Sequence, residues 1–175
     1  YKLAGENATD FPKVPSVSND FSAAISSEVL SRAVNNTIFA TSNDELRPAM
    51  TGVYVNLGEK NTTFVATDGH RLVRYRRTDI KSDNGNSIII PRKALNLLKA
   101  TLPAENTDVS IDFNMSNAFF KFGNIRMICR LIDERFPDYE NVIPSTNPIK
   151  MTISRTDLLG SLKRISIYAN KTTHQ

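Results

Sequence analysis

The sequence predicts an α+β protein in which amphipathic helices are separated by antiparallel strands. Three observations support this fold class: short runs rich in β-branched and aromatic residues, longer segments with helical periodicity, and a likeness between the first and last helical segments. Short runs of that composition between turn residues are typical of strands. Apolar residues that recur every three to four positions are typical of helices packed on a core. A length of 175 residues allows one large domain, or one domain and part of another.

The first helical segment follows a short extended run that ends at Ser26. Ser26 can cap the helix, because a serine side chain accepts a hydrogen bond from a free N–H of the first turn. We expect a helix over residues 26–38, with one apolar stripe formed by Val29, Leu30, Ala33, Val34, Thr37 and Ile38.

The strands are predicted from composition and from the turn residues between them. The runs with strand composition are 49–57, 62–67, 70–77, 86–90, 107–113, 117–122 and 125–132. "NG" at 84–85 and "GN" at 123–124 are turn signals, and the second predicts a tight hairpin. Gly69, between Asp68 and His70, also favours a turn.

A second helix is predicted to begin at Pro91, since proline fits the first turn of a helix. It extends to residue 102, and its buried stripe consists of Ala94, Leu95, Leu98 and Leu102. We expect the helices 26–38 and 91–102 to lie side by side on one face of the antiparallel strands.

A third helical segment resembles the first at an interval of domain size. "AAISSEVLSRAVNNTIFATSN" near the front matches "MTISRTDLLGSLKRISIYANK" near the end, at a spacing of about 128 residues. Chance similarity between two amphipathic helices is the alternative to a true repeat. Ser154 and Asp157 have the form of a capping box, and the apolar stripe contains Leu158, Leu159, Leu162 and Ile165. A repeat of this length suggests tandem homologous domains. One strand and one helix cannot bury their own apolar faces, so we expect the chain to end within the second domain.

The composition is that of an ordinary globular protein, with 40% hydrophobic and 23% charged residues. No apolar run approaches the roughly 20 residues that a membrane-spanning helix needs, and we expect no membrane partner. The single cysteine, Cys129, excludes an internal disulfide and suits a cytoplasmic location. A net charge of +4 permits a polyanionic partner.

Asp68 and His70 are the residues that most resemble a catalytic or metal-binding pair. The alternative is structural, because an aspartate before a glycine stabilises a turn through hydrogen bonds to its own backbone. The sequence contains no His-x-x-x-His, Cys-x-x-Cys, phosphate-binding glycine loop or Gly-x-Ser-x-Gly. We therefore expect no catalytic residues, no metal and no cofactor.

The outward sides of the predicted helices are rich in arginine, lysine and asparagine. Arg32 lies opposite the stripe of the first helix, and Arg92, Lys93 and Lys99 lie opposite the stripe of the second. Such faces suit diffuse contact with phosphates. Composition alone favours the alternative, simple solvated helix faces, because nothing here reads base edges and no aromatic residues are interleaved for stacking.

Three stretches occur in order: "ATDGHRL" (66–72), "IIIPRKALNLL" (88–98) and "RLIDERFPDYENVIP" (130–144). Together they closely resemble the bacterial DNA polymerase III beta subunit family, the sliding clamps. "GENATDFPKVP" and "FATSNDELRPAMTGVYV" (39–55) also fit, so the resemblance covers essentially the whole chain. Each clamp subunit has three similar domains of the DNA-clamp fold. The resemblance implies a linker from the first domain at 1–11, the middle domain at 12–142, and an incomplete start of the third at 143–175, with one strand and one helix.

The resemblance also implies a function. Two clamp subunits close head to tail into a ring around duplex DNA, with helices inward, and tether the replicative polymerase without catalysing a reaction. The expected partners are duplex DNA without sequence preference and, through short peptides, the DNA polymerase III catalytic subunit, the clamp loader and repair polymerases. Full-length subunits form homodimers in the bacterial cytoplasm, whereas we expect this chain alone to be monomeric or paired in a crystal. The basic residues expected to face DNA are Arg32, Arg47, Arg92, Lys93 and Lys99.

A hydrophobic pocket for the partner peptides is the last feature that the resemblance implies. Its residues in this chain are Met50, expected on a strand, and Thr67, Gly69, His70, Arg71, Leu72, Pro137 and Val142. Apolar members give contact area, and Arg71 can hold a peptide carbonyl or carboxylate. Asn141 stands where a basic residue is frequent in the family, Glu134 where glycine is, and Met50 where leucine is, which affects the pocket's fine specificity. The rival hypotheses are a hydrolase that uses Asp68 and His70, and an adaptor domain that binds no nucleic acid.

Overall fold

The computed structural model describes residues 1–11, 13, 21–82 and 85–170. The chain forms two compact units, Tyr1–Pro137 (unit 1) and Asp138–Gln175 (unit 2). The helices and strands of unit 1 are β1 (Phe21–Ser26), α1 (Ser27–Asn35), β2 (Gly52–Leu57), β3 (Thr62–Thr67), β4 (Leu72–Arg77), β5 (Asn86–Pro91), α2 (Arg92–Thr101), β6 (Asp108–Phe113), β7 (Asn117–Phe122) and β8 (Ile125–Arg130). Unit 2 contains α3 (Arg155–Ile165).

The strands of unit 1 form two four-stranded sheets, with the orders β1-β6-β7-β8 and β4-β3-β2-β5. Every strand pair in the described part of the chain is antiparallel. The predicted α+β class with antiparallel sheets is therefore confirmed.

The two helices of unit 1 pack beside each other, as predicted, and close a single core with the sheets. Leu30 and Val34 of α1 and Leu95 and Leu98 of α2 are fully or almost fully buried. They join the inward side chains of both sheets, so the opposite faces of both helices remain in contact with solvent.

The first helix is shorter than the predicted 26–38. The Ser26 hydroxyl accepts a hydrogen bond from the Val29 N–H at 3.3 Å, which confirms the predicted cap. At the other end the Thr37 hydroxyl donates to the Ala33 carbonyl at 2.7 Å. A threonine that satisfies a carbonyl of the last turn competes with continued helix. The chain leaves the helix after Asn35 and makes a short 3-10 turn at Ile38–Ala40.

The predicted strand 49–57 begins only at Gly52, because a 3-10 turn occupies Pro48–Thr51. Proline fits the first position of such a turn and has no N–H for a sheet. Met50 therefore lies in this turn and not on a strand, which corrects the expectation. At Gly52 a β-carbon would come within 2.5 Å of the Ile90 carbonyl oxygen, so only glycine allows the close approach of the strands there.

The remaining boundaries differ from the predicted ones by one or two residues. The strand predicted at 70–77 begins at Leu72, and α2 begins at Arg92, with Pro91 still paired in β5. Gly123, with φ of 53°, forms the predicted tight hairpin between β7 and β8. The other predicted turn includes Asn84, which lies outside the described residues.

In unit 2 the predicted capping of α3 is present, since the Ser154 hydroxyl accepts a hydrogen bond from the Asp157 N–H at 3.4 Å. The described residues 143–154 contain no strand, although an extended run ending at Ser154 was predicted. An extended segment becomes a strand only when a neighbour completes its hydrogen bonds. Within unit 2 the described residues supply no such neighbour. No helix in the described part of the chain is both long and apolar enough to cross a lipid bilayer.

Candidate binding site at the β3–β4 turn

The turn between β3 and β4 holds most of the predicted pocket residues. Thr67 pairs with Leu72 at the end of the ladder, which leaves four residues in the loop. The buried Thr67 hydroxyl donates to the Arg71 carbonyl at 2.9 Å and accepts from the Gly69 N–H at 3.1 Å. Gly69 has φ of 89°, a conformation that favours glycine. These bonds fix the base and the tip of the loop.

Asp68 organises the same loop with both oxygens of its carboxylate. Oδ1 accepts from the backbone N–H groups of His70 and Arg71, both at 2.9 Å, and Oδ2 accepts from Arg71 Nε at 3.0 Å. The bonds from the Arg71 and His70 N–H groups lower the pKa of Asp68 from its ordinary 3.8 to about 2. Asp68 therefore stabilises the turn as an anion, in the structural role that the sequence suggested.

The geometry around His70 does not assemble the catalytic pair considered from the sequence. Asp68 bonds to the backbone of His70, and its second oxygen is engaged by Arg71. No group of three or more histidine, cysteine, aspartate or glutamate side chains that could hold a metal occurs among the residues described. His70 itself is exposed at the tip of the turn.

Arg71 lies between a carboxylate and an aromatic ring. Its Nε donates to Asp68, and its guanidinium carbon lies 5.8 Å from the centroid of the Phe39 ring. A cation within about 6 Å of a ring centroid is attracted by the ring's electron density. Phe39 is not among the residues predicted for the pocket. It lies in two of the stretches quoted from the sequence, the repeat "AAISSEVLSRAVNNTIFATSN" and "FATSNDELRPAMTGVYV", but neither indicates a contact with Arg71.

The loop that carries Met50 packs against the turn through Arg47. Ser42 N–H donates to the Met50 carbonyl at 2.8 Å, and Arg47 Nε donates to Asp44 at 2.9 Å. A β-carbon placed on Gly69 would lie 3.0 Å from a terminal nitrogen of Arg47. The structure thus places Arg47, predicted to face DNA, directly beside the predicted peptide pocket. Met50 is half-buried in the same loop.

Pro137 and Val142 lie in different units. Pro137 is exposed and follows Phe136, whose buried ring stacks on Tyr54 with centroids 4.8 Å apart and planes at 19°. That stacking fixes the last residues of unit 1 against β2. In unit 2, Val142 is exposed in a 3-10 turn at Glu140–Val142. Two of the three departures from the family pattern are at the surface: Glu134 is exposed, and so is Asn141, which donates to Asp138 at 2.6 Å.

The basic residues of the helix faces differ in how they are held. Arg32 is paired with Glu28 at 2.7 Å, and the Arg92 guanidinium donates to the side chain of Asn43. Lys93 and Lys99 are exposed and form no ion pair within the described ranges. Between α1 and α2 runs an open groove of about 440 Å³, whose polar lining is Ser27, Glu28, Ser31, Arg32, Asn35 and Lys99.

Comparison with known proteins identifies the family. The family described as DNA polymerase III beta subunit, central domain, matches residues 24–138. The beta sliding clamps of Staphylococcus epidermidis and Staphylococcus aureus are 34% identical over 172 residues, covering 98% of this chain and 45% of each relative. The chain thus spans less than half the length of these relatives.

Solved structures support the same family assignment. The sliding clamp of Bacillus subtilis superimposes with a TM-score of 0.90 at 27% identity, over 95% of this chain and 44% of that one. The clamp of Bartonella birtlesii, bound to griselimycin, superimposes with a TM-score of 0.87 at 30% identity. The match covers 98% of this chain and 48% of that one. The resemblance seen in the sequence is confirmed: the chain belongs to the DNA polymerase III beta subunit family, the sliding clamps, and residues 24–138 match that family's central domain.

Proposed function

We propose that this chain supplies the central part of a sliding clamp, a ring that encircles duplex DNA and tethers the replicative polymerase without catalysing a reaction. The observation that carries the proposal is the match of residues 24–138 to the central domain of the family. Residues 1–11 would be a linker, 12–142 the central domain and 143–175 the start of a third domain. The protein would act in the bacterial cytoplasm, as a homodimer when the whole subunit is present.

The exposed faces of α1 and α2 would contact the phosphates of the encircled duplex. Lys93 and Lys99 would contribute most, since their ammonium groups have no carboxylate partner in the described structure, whereas Arg32 is already paired with Glu28. Diffuse attraction of this kind has no sequence preference and permits sliding.

The β3–β4 turn would form part of a pocket for short peptides of the polymerase catalytic subunit, the clamp loader and repair polymerases. Leu72 and Met50 would receive apolar side chains, with Pro137 as a further member from unit 1. Gly69 allows the backbone of the ligand to approach, because it carries no side chain. A pocket of this kind combines apolar area with a few positioned polar groups.

The proposal is tested by nuclear magnetic resonance titration of the isotope-labelled chain. A short peptide with leucine and phenylalanine anchors should shift the amide signals of residues 67–72 and of Met50. A short duplex at low salt should instead shift signals on α1 and α2. Lys99→Ala should weaken duplex binding, and the matched control Lys121→Ala, an exposed lysine of β7, should not. Peptide shifts confined to α2, or duplex binding insensitive to Lys99→Ala, would contradict these assignments.

A further inference from the structure

We propose that Phe39 is a specificity-determining residue of the peptide pocket, which positions Arg71 to receive a carbonyl or carboxylate oxygen of the bound peptide. The inference rests on the proposed peptide-binding function of the β3–β4 turn. It concerns a side chain that lies 28 residues before that turn in the sequence and meets it only through the fold.

Phe39 is held rigidly at the surface by buried neighbours. It is the middle residue of the 3-10 turn Ile38–Ala40, in which Ile38 and Ala40 are buried while the Phe39 ring is 52% exposed. The buried hydroxyl of Thr41 donates to the Ile38 carbonyl at 2.8 Å and closes the turn. A large aromatic side chain kept half in solvent by a fixed backbone is a suitable platform for a ligand or for a cation.

The cation on this platform is Arg71. Its Nε is bonded to Asp68, and the Phe39 ring lies beneath its guanidinium carbon. Among the described residues neither terminal nitrogen of Arg71 has a hydrogen-bond partner. A guanidinium carries five N–H donors in a fixed planar fork, so fixing Nε and the plane of the group also fixes the direction of the four remaining donors.

A pre-positioned fork favours an oxygen acceptor of defined direction. Charge-assisted bonds from arginine are short and directional, and two parallel bonds to one carboxylate add geometric specificity. Without the ring, only the hydrogen bond from Nε to Asp68 would hold the Arg71 guanidinium, and the group could rotate about that bond. The terminal donors would then have to be ordered again when a peptide binds.

A double-mutant cycle separates positioning from simple contact. The probe is a short fluorescein-labelled peptide with leucine and phenylalanine anchors and one glutamate, and its counterpart with glutamine. Phe39→Ala should weaken binding about two- to fivefold, the range expected of an exposed cation–π contact. In a protein that already carries Arg71→Ala, Phe39→Ala should not weaken peptide binding further. Phe39→Tyr should retain affinity, whereas Phe39→Leu, which keeps apolar area without the ring, should not. In the nuclear magnetic resonance spectrum of the free protein, the chemical shift of the Arg71 Nε–Hε group should change in Phe39→Leu.

The outcomes distinguish this inference from the function on which it rests. Phe11→Ala, at another exposed phenylalanine, is the matched control and should bind normally. If Leu72→Ala leaves peptide affinity unchanged, the pocket assignment itself is wrong. If Leu72→Ala weakens binding but Phe39→Ala does not, or if the effects of Phe39→Ala and Arg71→Ala add, the positioning role is wrong and the pocket stands. A larger loss for the glutamate peptide than for the glutamine peptide identifies a carboxylate as the acceptor, and equal losses identify a carbonyl.

Discussion

The β3–β4 turn and the outward faces of α1 and α2 both carry basic side chains, but the turn pairs its arginines with carboxylates, whereas the helix faces also expose lysines. At the turn, Arg71 is paired with Asp68 at 3.0 Å and Arg47 with Asp44 at 2.9 Å. On the helix faces, Lys93 and Lys99 are exposed without an ion pair in the part of the chain that is described. The turn fixes its cations, and the helix faces leave these two lysines without a carboxylate partner.

This difference corresponds to two kinds of recognition. A guanidinium fixed by a carboxylate can discriminate between ligands by direction, because its donors form a rigid fork. A lysine ammonium on a flexible stem acts as a point charge and attracts phosphate from many positions. Under the proposed function, the second kind suits a surface that faces DNA, and the first kind suits a pocket that selects peptides.

The largest expected effect is that of salt on duplex binding by the basic faces of α1 and α2. Each phosphate neutralised contributes about 0.9 to the slope of log affinity against log salt. With roughly four contacts, duplex affinity should fall about a thousandfold between about 20 mM and 150 mM NaCl. Peptide affinity at the turn should change far less, because apolar anchors contribute most of it. Fluorescence anisotropy over a salt series measures the affinity for the duplex and for the peptide. Equal salt slopes for the two ligands would contradict the difference between the turn and the helix faces.

The next effect is at the apolar wall of the turn. Leu72→Ala should weaken binding of the peptide by about 1–3 kcal/mol, the usual range for truncating a well-packed interface anchor. Duplex binding should be unaffected, since the side chain lies on β4 and not on the helices. A matched loss of duplex affinity would show that the substitution perturbs the whole domain.

A smaller effect is expected on the free energy of unfolding when either of two glycines with a positive φ is replaced. Gly69→Ala and Gly123→Ala both place a β-carbon in the left-handed region, which costs roughly 1–2 kcal/mol. At Gly123 that carbon would meet nothing within 4 Å, whereas at Gly69 it would lie 3.0 Å from Arg47. Gly69→Ala should therefore lower the free energy of unfolding slightly more, as measured by urea denaturation. Equal losses would mean that Arg47 moves aside freely.

Much of the fold could be predicted because its signals are local. The strand 62–67 coincides with β3, and the apolar stripes at Leu30 and Leu98 place both helices correctly. Composition and periodicity decide such elements over a few residues. Met50 was misplaced because a short apolar run does not distinguish a 3-10 turn from the strand that follows it.

The candidate site was only partly predictable for a different reason. The turn residues 67–72 are contiguous, and their bonds to Asp68 are local, so the sequence indicates them. The contacts of Phe39 with Arg71 and of Arg47 with Gly69 join distant segments. Only the fold brings these segments together, with the 3-10 turn Ile38–Ala40 packed against β3, and no spacing in the sequence encodes that.

The smallest expected effect is the titration of the turn, and it tests whether the Asp68 carboxylate is held as firmly as its hydrogen bonds indicate. The folded pKa of Asp68 is about 2, below its ordinary 3.8, because backbone N–H groups and Arg71 favour the anion. Its contribution to stability is therefore complete above about pH 4 and is lost as the pH falls through 2. Carboxyl carbon signals recorded during acid titration should give this pKa directly. Asp68→Asn keeps an oxygen for the His70 and Arg71 N–H groups but loses the ion pair, so its stability should fall less steeply between pH 4 and 2 than that of the unaltered protein. The dependence that remains comes from other carboxylates with lowered pKa values, such as Asp44 and Asp79. A pKa of Asp68 near 3.8 would show that the turn does not hold this carboxylate as an anion, and the contrast with the exposed Lys93 and Lys99 would disappear.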